Sequence, residues 1–401
     1  MNHTPFPPPP AQLATLANWR TAPYNRWAFH HVRELVPTAA VPAQRHAESL
    51  DVEMVDLRDF QLNHNASTLD FPSWLDATYT DGVVILNKGK LAVEHYAPGQ
   101  SADTPHIWMS VSKSILGLMA GVAVERGCLD VSAPLTHYIP ELQGSAYEGA
   151  TVRDALDMRV GVQFNEDYHA TGGAIIEYRK SHLWDPVPVG ESATDLRRFF
   201  STLTERDGVH GGRFHYVSPN TDLLGWVLER ATGTRYADWV SECLWQPIQA
   251  ERDAYITVDR LGAPRCAGGF CAGPRDMARV GRLLATGGRH GDVQVIPQHW
   301  IEDIWQFDEG TSAWQSGDFY ELFNRADMHY RSQWYVLRGA RPLILGVGVF
   351  GQHIFVDPAA DWVMAQCSSQ PLPLDPAFLQ LTLSGVERLR DLFQRRSPHG
   401  C

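Results

Sequence analysis

The sequence predicts an α+β fold in which one antiparallel sheet is built from both ends of the chain around a mostly helical insertion. Three observations carry this. The stretch "GVVILNKGKLAVEHY" from Gly82 to Tyr96 reads as two strands joined by a tight turn at Asn87–Gly89. Residues 150–300 are rich in helical patterns, and the C-terminal part returns to short strands. Strands, then helices, then strands fit an α+β architecture better than the alternating order of a parallel sheet.

Taken in order, the run Pro7 to Pro10 predicts a stiff extended arm, assigned to residues 1–24. After the hairpin, "MSVSKSILGLMAGVAVERGCLD" is apolar nearly all round. That pattern predicts a helix buried on most faces, stopped near Gly127. "TVRDALDMRV", "TDLLGWVLERATG" and "ARVGRLLATGG" predict further helices. "PLILGVGVF", "QHIFVDP" and "DWVMAQCSS" predict three strands with a turn at Asp357-Pro358, and "DPAFLQLTLSGVERLRDLF" a closing helix. The expected units are therefore the arm, a discontinuous sheet domain over 25–150 and 290–401, and a helical domain over 151–289.

Composition narrows the function. The chain has 401 residues and a formal net charge of −12, with charges well mixed. No basic face for nucleic acid is visible, and anionic membrane surfaces are disfavoured for the same reason. No apolar run is long enough to span a bilayer, and the N-terminus lacks the basic and apolar regions of a secretory signal. A cytoplasmic protein is expected. The six cysteines are scattered, and Cys266 and Cys271 do not have C-x-x-C spacing, so free thiols are expected. There is no H-E-x-x-H pair, P-loop or G-x-S-x-G elbow, "HGGRFH" reads as a loop, and no metal or cofactor is expected.

One motif invites a cofactor. Gly346-Val-Gly348-Val-Phe-Gly351 spells G-x-G-x-x-G, the spacing of a dinucleotide-binding turn. The residues that follow, "QHIFVDPAADWVMA", alternate and turn like strands. Without a helix N-terminus nothing holds a pyrophosphate, so the glycines need another reason.

Chemistry concentrates in "WMSVSKS" at 108–114. Ser110 and Lys113 are three apart and share one helix face, whereas Ser112 points elsewhere. A buried lysine with a lowered pKa can take the proton of a neighbouring serine, which makes a nucleophile without histidine. Only four of the 34 basic residues are lysines, and Arg cannot deprotonate. A lysine on an apolar helix of such a chain points to function. A second element is "FHYVSPNTDLLGWVLER", with a helix expected from Asn220 or Thr221. Tyr216 is either a core aromatic or a proton carrier whose phenolate a nearby cation favours, and Ser218 or Asn220 can cap the helix.

"SVSK" followed by "YVS" resembles the serine β-lactamase and DD-peptidase superfamily, whose pattern is S-x-x-K, Y-x-N or Y-x-S, and a third strand motif. "PYNRWAFHHV", "MSVSKS", "FNEDY", "YVSPNTDLLGWVLERATG", "RDAYITVD", "ARVGR" and "GVGVFGQ" are similar to the nylon-oligomer (6-aminohexanoate-dimer) hydrolases of that superfamily. The resemblance runs from about Asn25 to Ser369.

It implies a β-lactamase-like fold with Ser110 as nucleophile, Lys113 as its general base and Tyr216 as proton shuttle to the leaving group. It also implies that Tyr168 closes over the substrate, that Trp184 lines the cleft from a loop, and that Ser218 and Ala267 border the substrate. Gly346-Val-Gly348 takes the third-motif slot, with Gly348 beside the substrate and the backbone N–H groups of Ser110 and Val349 forming an oxyanion hole. A homodimer is implied as well.

Two departures matter. The usual cation of the third motif is replaced by Gly346, as in the nylon-oligomer hydrolases. The acidic residue that binds substrate ammonium in members active on the nylon dimer is matched by count to Arg179, with Glu177 two positions away. The resemblance thus implies a serine hydrolase acting through an acyl-enzyme on small carboxylic esters, and on linear amides such as 6-aminohexanoate oligomers. The alternatives are a penicillin-recognising DD-peptidase or class C-type β-lactamase, and an inactive binding protein on the same fold.

Overall fold

A computed structural model describes residues 13–65, 67–307 and 313–396. The Pro7–Pro10 run and Cys401 lie outside these residues. Residues 13–24 do not continue as an extended arm. The N–H groups of Asn18 and Trp19 both donate to Thr15 O, so the chain turns, and the Trp19 indole donates to Trp184 O at 3.1 Å. Burial of so large an aromatic surface outweighs the stiffness suggested by the prolines upstream.

Along the chain come β1 (Thr38–Val41), the hairpin strands β2 (Thr80–Asn87) and β3 (Lys90–Tyr96), and the short β4 (His106–Ile107). The helix α1 (Val111–Glu125) follows, then α2 (Ala174–Ser181) and α3 (Ser218–Thr232). Next are β5 (Ala254–Thr257), β6 (Phe270–Ala272) and α4 (Pro274–Ala285). The C-terminal part supplies β7 (Met328–Arg331), β8 (Trp334–Leu337), β9 (Leu343–Gly348), β10 (Gln352–Asp357), β11 (Trp362–Ser368) and α5 (Pro376–Arg396).

Seven strands form one antiparallel sheet in the order β7-β8-β9-β10-β11-β2-β3, so the N-terminal hairpin completes a sheet begun by the C-terminal strands. Alternation explains its burial on both faces. Val84 and Leu86 point into the core shared with α1 and α4, while Val83 and Ile85 point into the core under α5. The sequence reads as one apolar run because both faces are covered. α4 lies across β10, β11 and β2.

Two features were not legible in the sequence. The hairpin β7–β8 turns at Ser332 (φ +49°) and Gln333 (φ +68°), so it carries none of the Asn-Gly signal that normally marks such a turn. A second sheet, β1-β5-β6-β4, draws strands of two to four residues from distant segments, too short for an alternating pattern. "TVRDALDMRV" also yields a shorter helix than expected, Val152–Leu156, opened by a reciprocal cap between Thr151 and Asp154.

Candidate active site

Ser110 sits where the chain passes from the small sheet into α1. Met109 before it has φ +45°, a left-handed conformation that costs a non-glycine residue about 1–3 kcal/mol. Surrounding contacts hold the bend in place. Trp108 N–H donates to Phe270 O at 2.8 Å and its indole to Ala272 O at 2.9 Å. Behind Ser110, α1 is buried from Val111 to Ala123, as its all-round apolar pattern requires.

Lys113 lies one turn along α1 and is 1% exposed. Its Nζ is 3.0 Å from Ser110 Oγ, 3.0 Å from Ser218 Oγ and 2.8 Å from Ala267 O. Burial pulls its pKa from the ordinary lysine value down to about 7; Glu166 and Asp222 raise it and Arg265 lowers it further.

The partners decide where each hydrogen goes. Ala267 O can only accept. Ser218 Oγ donates its own hydrogen to Glu166 Oε1 at 2.5 Å, while Ser218 N–H donates to Glu166 Oε2 at 2.8 Å. Its hydroxyl oxygen is therefore left to accept from Lys113. A neutral amine has two N–H groups, which these two acceptors take, and its lone pair then faces Ser110 Oγ. That is the geometry of a base poised to remove the serine proton.

Glu166 is the residue that sequence reasoning missed. It lies inside "FNEDY", two positions before Tyr168, and no spacing links it to Ser218 before the chain folds. Ser218 does not cap α3 as one sequence reading allowed. The helix begins at Ser218 itself, with Val217 in the cap position and no side-chain cap, so the hydroxyl is free to serve Lys113.

Tyr216 precedes α3. Its N–H donates to Asp318 Oδ2 at 2.9 Å and its ring lies 4.9 Å from that of Phe319. Lys113 Nζ lies 4.9 Å from the Tyr216 ring centre. Burial pushes the phenol well above its ordinary pKa, and its hydrogen bond with Ser110 only partly offsets this. Burial thus favours the phenol over the phenolate that one sequence reading allowed. The lysine is itself buried and depressed, so it is no standing cation that could hold the phenolate charge.

Gly346 and Gly348 lie on β9, and Phe350 (φ +64°) and Gly351 (φ +86°) turn the chain directly into β10. No helix follows the G-x-G-x-x-G spelling. A Cβ on Gly348 would lie 2.8 Å from Trp108 O and 3.0 Å from Ser110 N. The glycine is what lets the strand edge approach the head of α1. Val349, the next residue, shares a cavity wall with Ser110.

Two hollows meet at Ser110. The larger, about 380 Å³, is walled in part by Glu166, Tyr168, Trp184, Ser218, Ala267 and Val349. The smaller, about 20 Å³, is lined by Tyr168, Tyr216, Gly348, Val349 and the rings of Phe319 and Tyr335. Ser110, Tyr168, Trp184, Tyr216, Ser218, Ala267, Gly348 and Val349 each border at least one of them, whereas Lys113 lies behind Ser110 and Gly346 lines neither. Trp184 is held by its indole N–H to Thr257 Oγ1 at 3.2 Å and by edge contact with Trp19 at 5.1 Å.

Ala267 ties the site to a second buried cation. Its N–H donates to Asp222 Oδ1 at 2.7 Å, and Asp222 Oδ2 accepts from Arg265 Nη1 and from the Tyr178 hydroxyl. Burial works against the Arg265 charge, but Asp222 overcomes it and holds the guanidinium above its ordinary pKa. Asp222 thereby anchors the residue whose carbonyl holds Lys113.

Chain folding also gathers a group that spacing did not reveal, His30, Asp81 and His106, whose ligand atoms lie within 4.8 Å. Burial, with His106 adding to it, lowers His30 to about 3, and Arg26 Nε stands 3.3 Å from Asp81 Oδ1. A guanidinium already supplies this carboxylate with its counter-charge, and none of the three lines the cavity. Among the described residues no helix is long and apolar enough to cross a membrane.

Comparison with known proteins places this geometry in context. Residues 76–383 match the family described as Beta-lactamase. The chain is 37% identical over 377 residues to the 6-aminohexanoate-dimer hydrolase of Paenarthrobacter ureafaciens, covering 92% of this chain and 91% of that protein. Among solved structures, a Bacillus anthracis protein provisionally named a 6-aminohexanoate-dimer hydrolase superposes with a TM-score of 0.85 at 24% identity, covering 95% of this chain and 96% of the other. A D-stereospecific amidohydrolase from Streptomyces sp. has a TM-score of 0.58 at 14% identity over 80% of this chain and 98% of its own. The last two likenesses concern the fold.

Proposed function

The chain belongs to the Beta-lactamase family and is a hydrolase, and from that premise we propose that it acts through an acyl-enzyme formed on Ser110. Its substrates are small carboxylic esters and linear amides of the 6-aminohexanoate-oligomer kind. One observation carries this reading: the hydrogen-bond partners of Lys113 leave its lone pair facing Ser110 Oγ. The substrate class is supported by the name of the 37% identical relative.

In the first step Lys113 takes the Ser110 proton as Oγ attacks the substrate carbonyl. The N–H groups of Ser110 and Val349 stabilise the oxyanion, each worth on the order of 10² to 10³ in rate. Tyr216, kept as a phenol, gives its proton to the departing oxygen or nitrogen and regains one from Lys113. Water then attacks the acyl group, with Lys113 again as base, and Ser110 is released with its proton restored.

The test is the mass of the intact protein after brief exposure to a fluorophosphonate probe, with Ser110→Ala alongside. A single adduct on the parent, mapped to Ser110 and absent from the variant, is the expected result. No adduct on the folded parent would contradict the reading and leave a binding role on this fold.

A further inference from the structure

The larger cavity holds a cation that neither the reaction nor an ion pair uses. Its charged walls are Arg20, Arg179, Arg265, Glu166 and Asp185, and four of these five are accounted for. Arg20 pairs with Asp185 and Arg265 with Asp222. Both Glu166 oxygens accept hydrogen bonds from Ser218.

Arg179 differs. It projects from α2, is 9% exposed, and donates from Nη2 to Tyr168 O at 3.2 Å. Among the described residues no carboxylate pairs with it. A guanidinium offers five donors, and burial without a counter-charge is costly. Neighbouring groups register its charge. Burial lowers Arg20 to about 10 against the pull of Asp185, with Arg179 and Arg265 pressing it further down. His182 behind the wall is driven well below its ordinary value, first by burial and then by Arg265, Arg20 and Arg179.

We propose that Arg179 is the seat of a substrate carboxylate, so that this enzyme prefers esters or amides carrying an anionic group remote from the scissile bond. A planar guanidinium suits a carboxylate bidentately, and the cavity contains both Arg179 and Ser110, so one ligand can reach the two. The inference rests on Ser110 as the reacting centre for its catalytic meaning, but anion binding at Arg179 is measurable without turnover.

The test is calorimetric binding of four amides of matched length to the full chain carrying Ser110→Ala, so that none of them is turned over. They are N-hexylhexanamide, mono-N-hexyladipamide (carboxylate on the acyl side), N-hexanoyl-6-aminohexanoate (carboxylate on the amine side), and N-hexyl-6-aminohexanamide (an ammonium). At least one acid should bind roughly 10- to 100-fold tighter than the neutral amide, and the ammonium more weakly than the neutral amide. Which acid wins identifies the side. In Arg179→Gln the acid-to-neutral ratio should fall to near one, and Arg179→Lys should restore part of it, an outcome that misfolding would not produce.

The kcat/KM ratio for 4-nitrophenyl hydrogen adipate over 4-nitrophenyl hexanoate should follow the same order if the acyl side is favoured. Equal binding of acids and neutral amide, tighter binding of the ammonium, or a preference that survives Arg179→Gln would each overturn the proposal. Loss of turnover on every ester with the binding preference intact would count against the hydrolase reading and leave the anion site standing.

Discussion

Two buried cations flank Ala267, and the fold treats them in opposite ways. On one side Arg265 faces Asp222 Oδ2 at 2.6 Å, and its charge is held in place. On the other, Lys113 has only hydroxyls and a carbonyl as direct partners, and its charge is marginal near neutral pH. Both side chains are buried in one core, so burial alone does not distinguish them. The nearest acceptor does. A carboxylate in contact makes a buried cation structural, whereas neutral acceptors let burial turn a lysine into a base.

The comparison can be broken most severely at Lys113. Arginine keeps the positive charge but cannot lose its proton, so Lys113→Arg should lower kcat/KM on a short ester by on the order of 10⁴-fold or more at every pH. Substantial activity in that variant would show that no base is needed there. On the other side of Ala267, Asp222→Asn strands Arg265 as an uncompensated buried charge. It should cost about 3–5 kcal/mol of stability in urea unfolding; an unchanged midpoint would remove Arg265 from the structural account.

Tyr216→Phe sharpens the picture of the leaving-group side. Loss of the phenol proton should reduce amide cleavage by about 10²-fold, and ester cleavage less, because an alkoxide leaves with less help than an amine. Equal losses on the two substrates would point to packing against Phe319 instead.

Glu166→Gln has the smallest expected effect and the most specific signature. Glu166 raises Lys113, so its neutralisation should move the acid limb of the pH–rate profile to lower pH. The plateau should fall roughly tenfold as Ser218 loses its fixed orientation. A limb that moves to higher pH would contradict the assignment.

How much of this could be read from the chain depends on distance along it. Ser110 and Lys113 were legible because one helix turn fixes their relation. Gly348 was legible because a strand glycine signals close approach. The apolar helix and the sheet shared by the two ends followed from periodicity. Glu166 and the Ala267 carbonyl were not legible, since one reaches Ser218 and the other Lys113 from loops, and a backbone acceptor leaves no mark on residue type. Trp19 was hidden by its proline-rich approach, and β7–β8 by a turn made from Ser and Gln. Arg179 was visible only as a departure from the family pattern; its lack of a partner is a property of the folded cavity.

The central claim is that Lys113 loses its proton near pH 7 and then holds its lone pair on Ser110. The most direct measurement is the rate of fluorophosphonate labelling of Ser110 from pH 5 to pH 10, with folding monitored alongside. Only the neutral amine can accept the serine proton, so the rate should drop tenfold per pH unit below about 7 and level off above it. A rate independent of pH across this range, or one that keeps rising toward the ordinary lysine value, would contradict it.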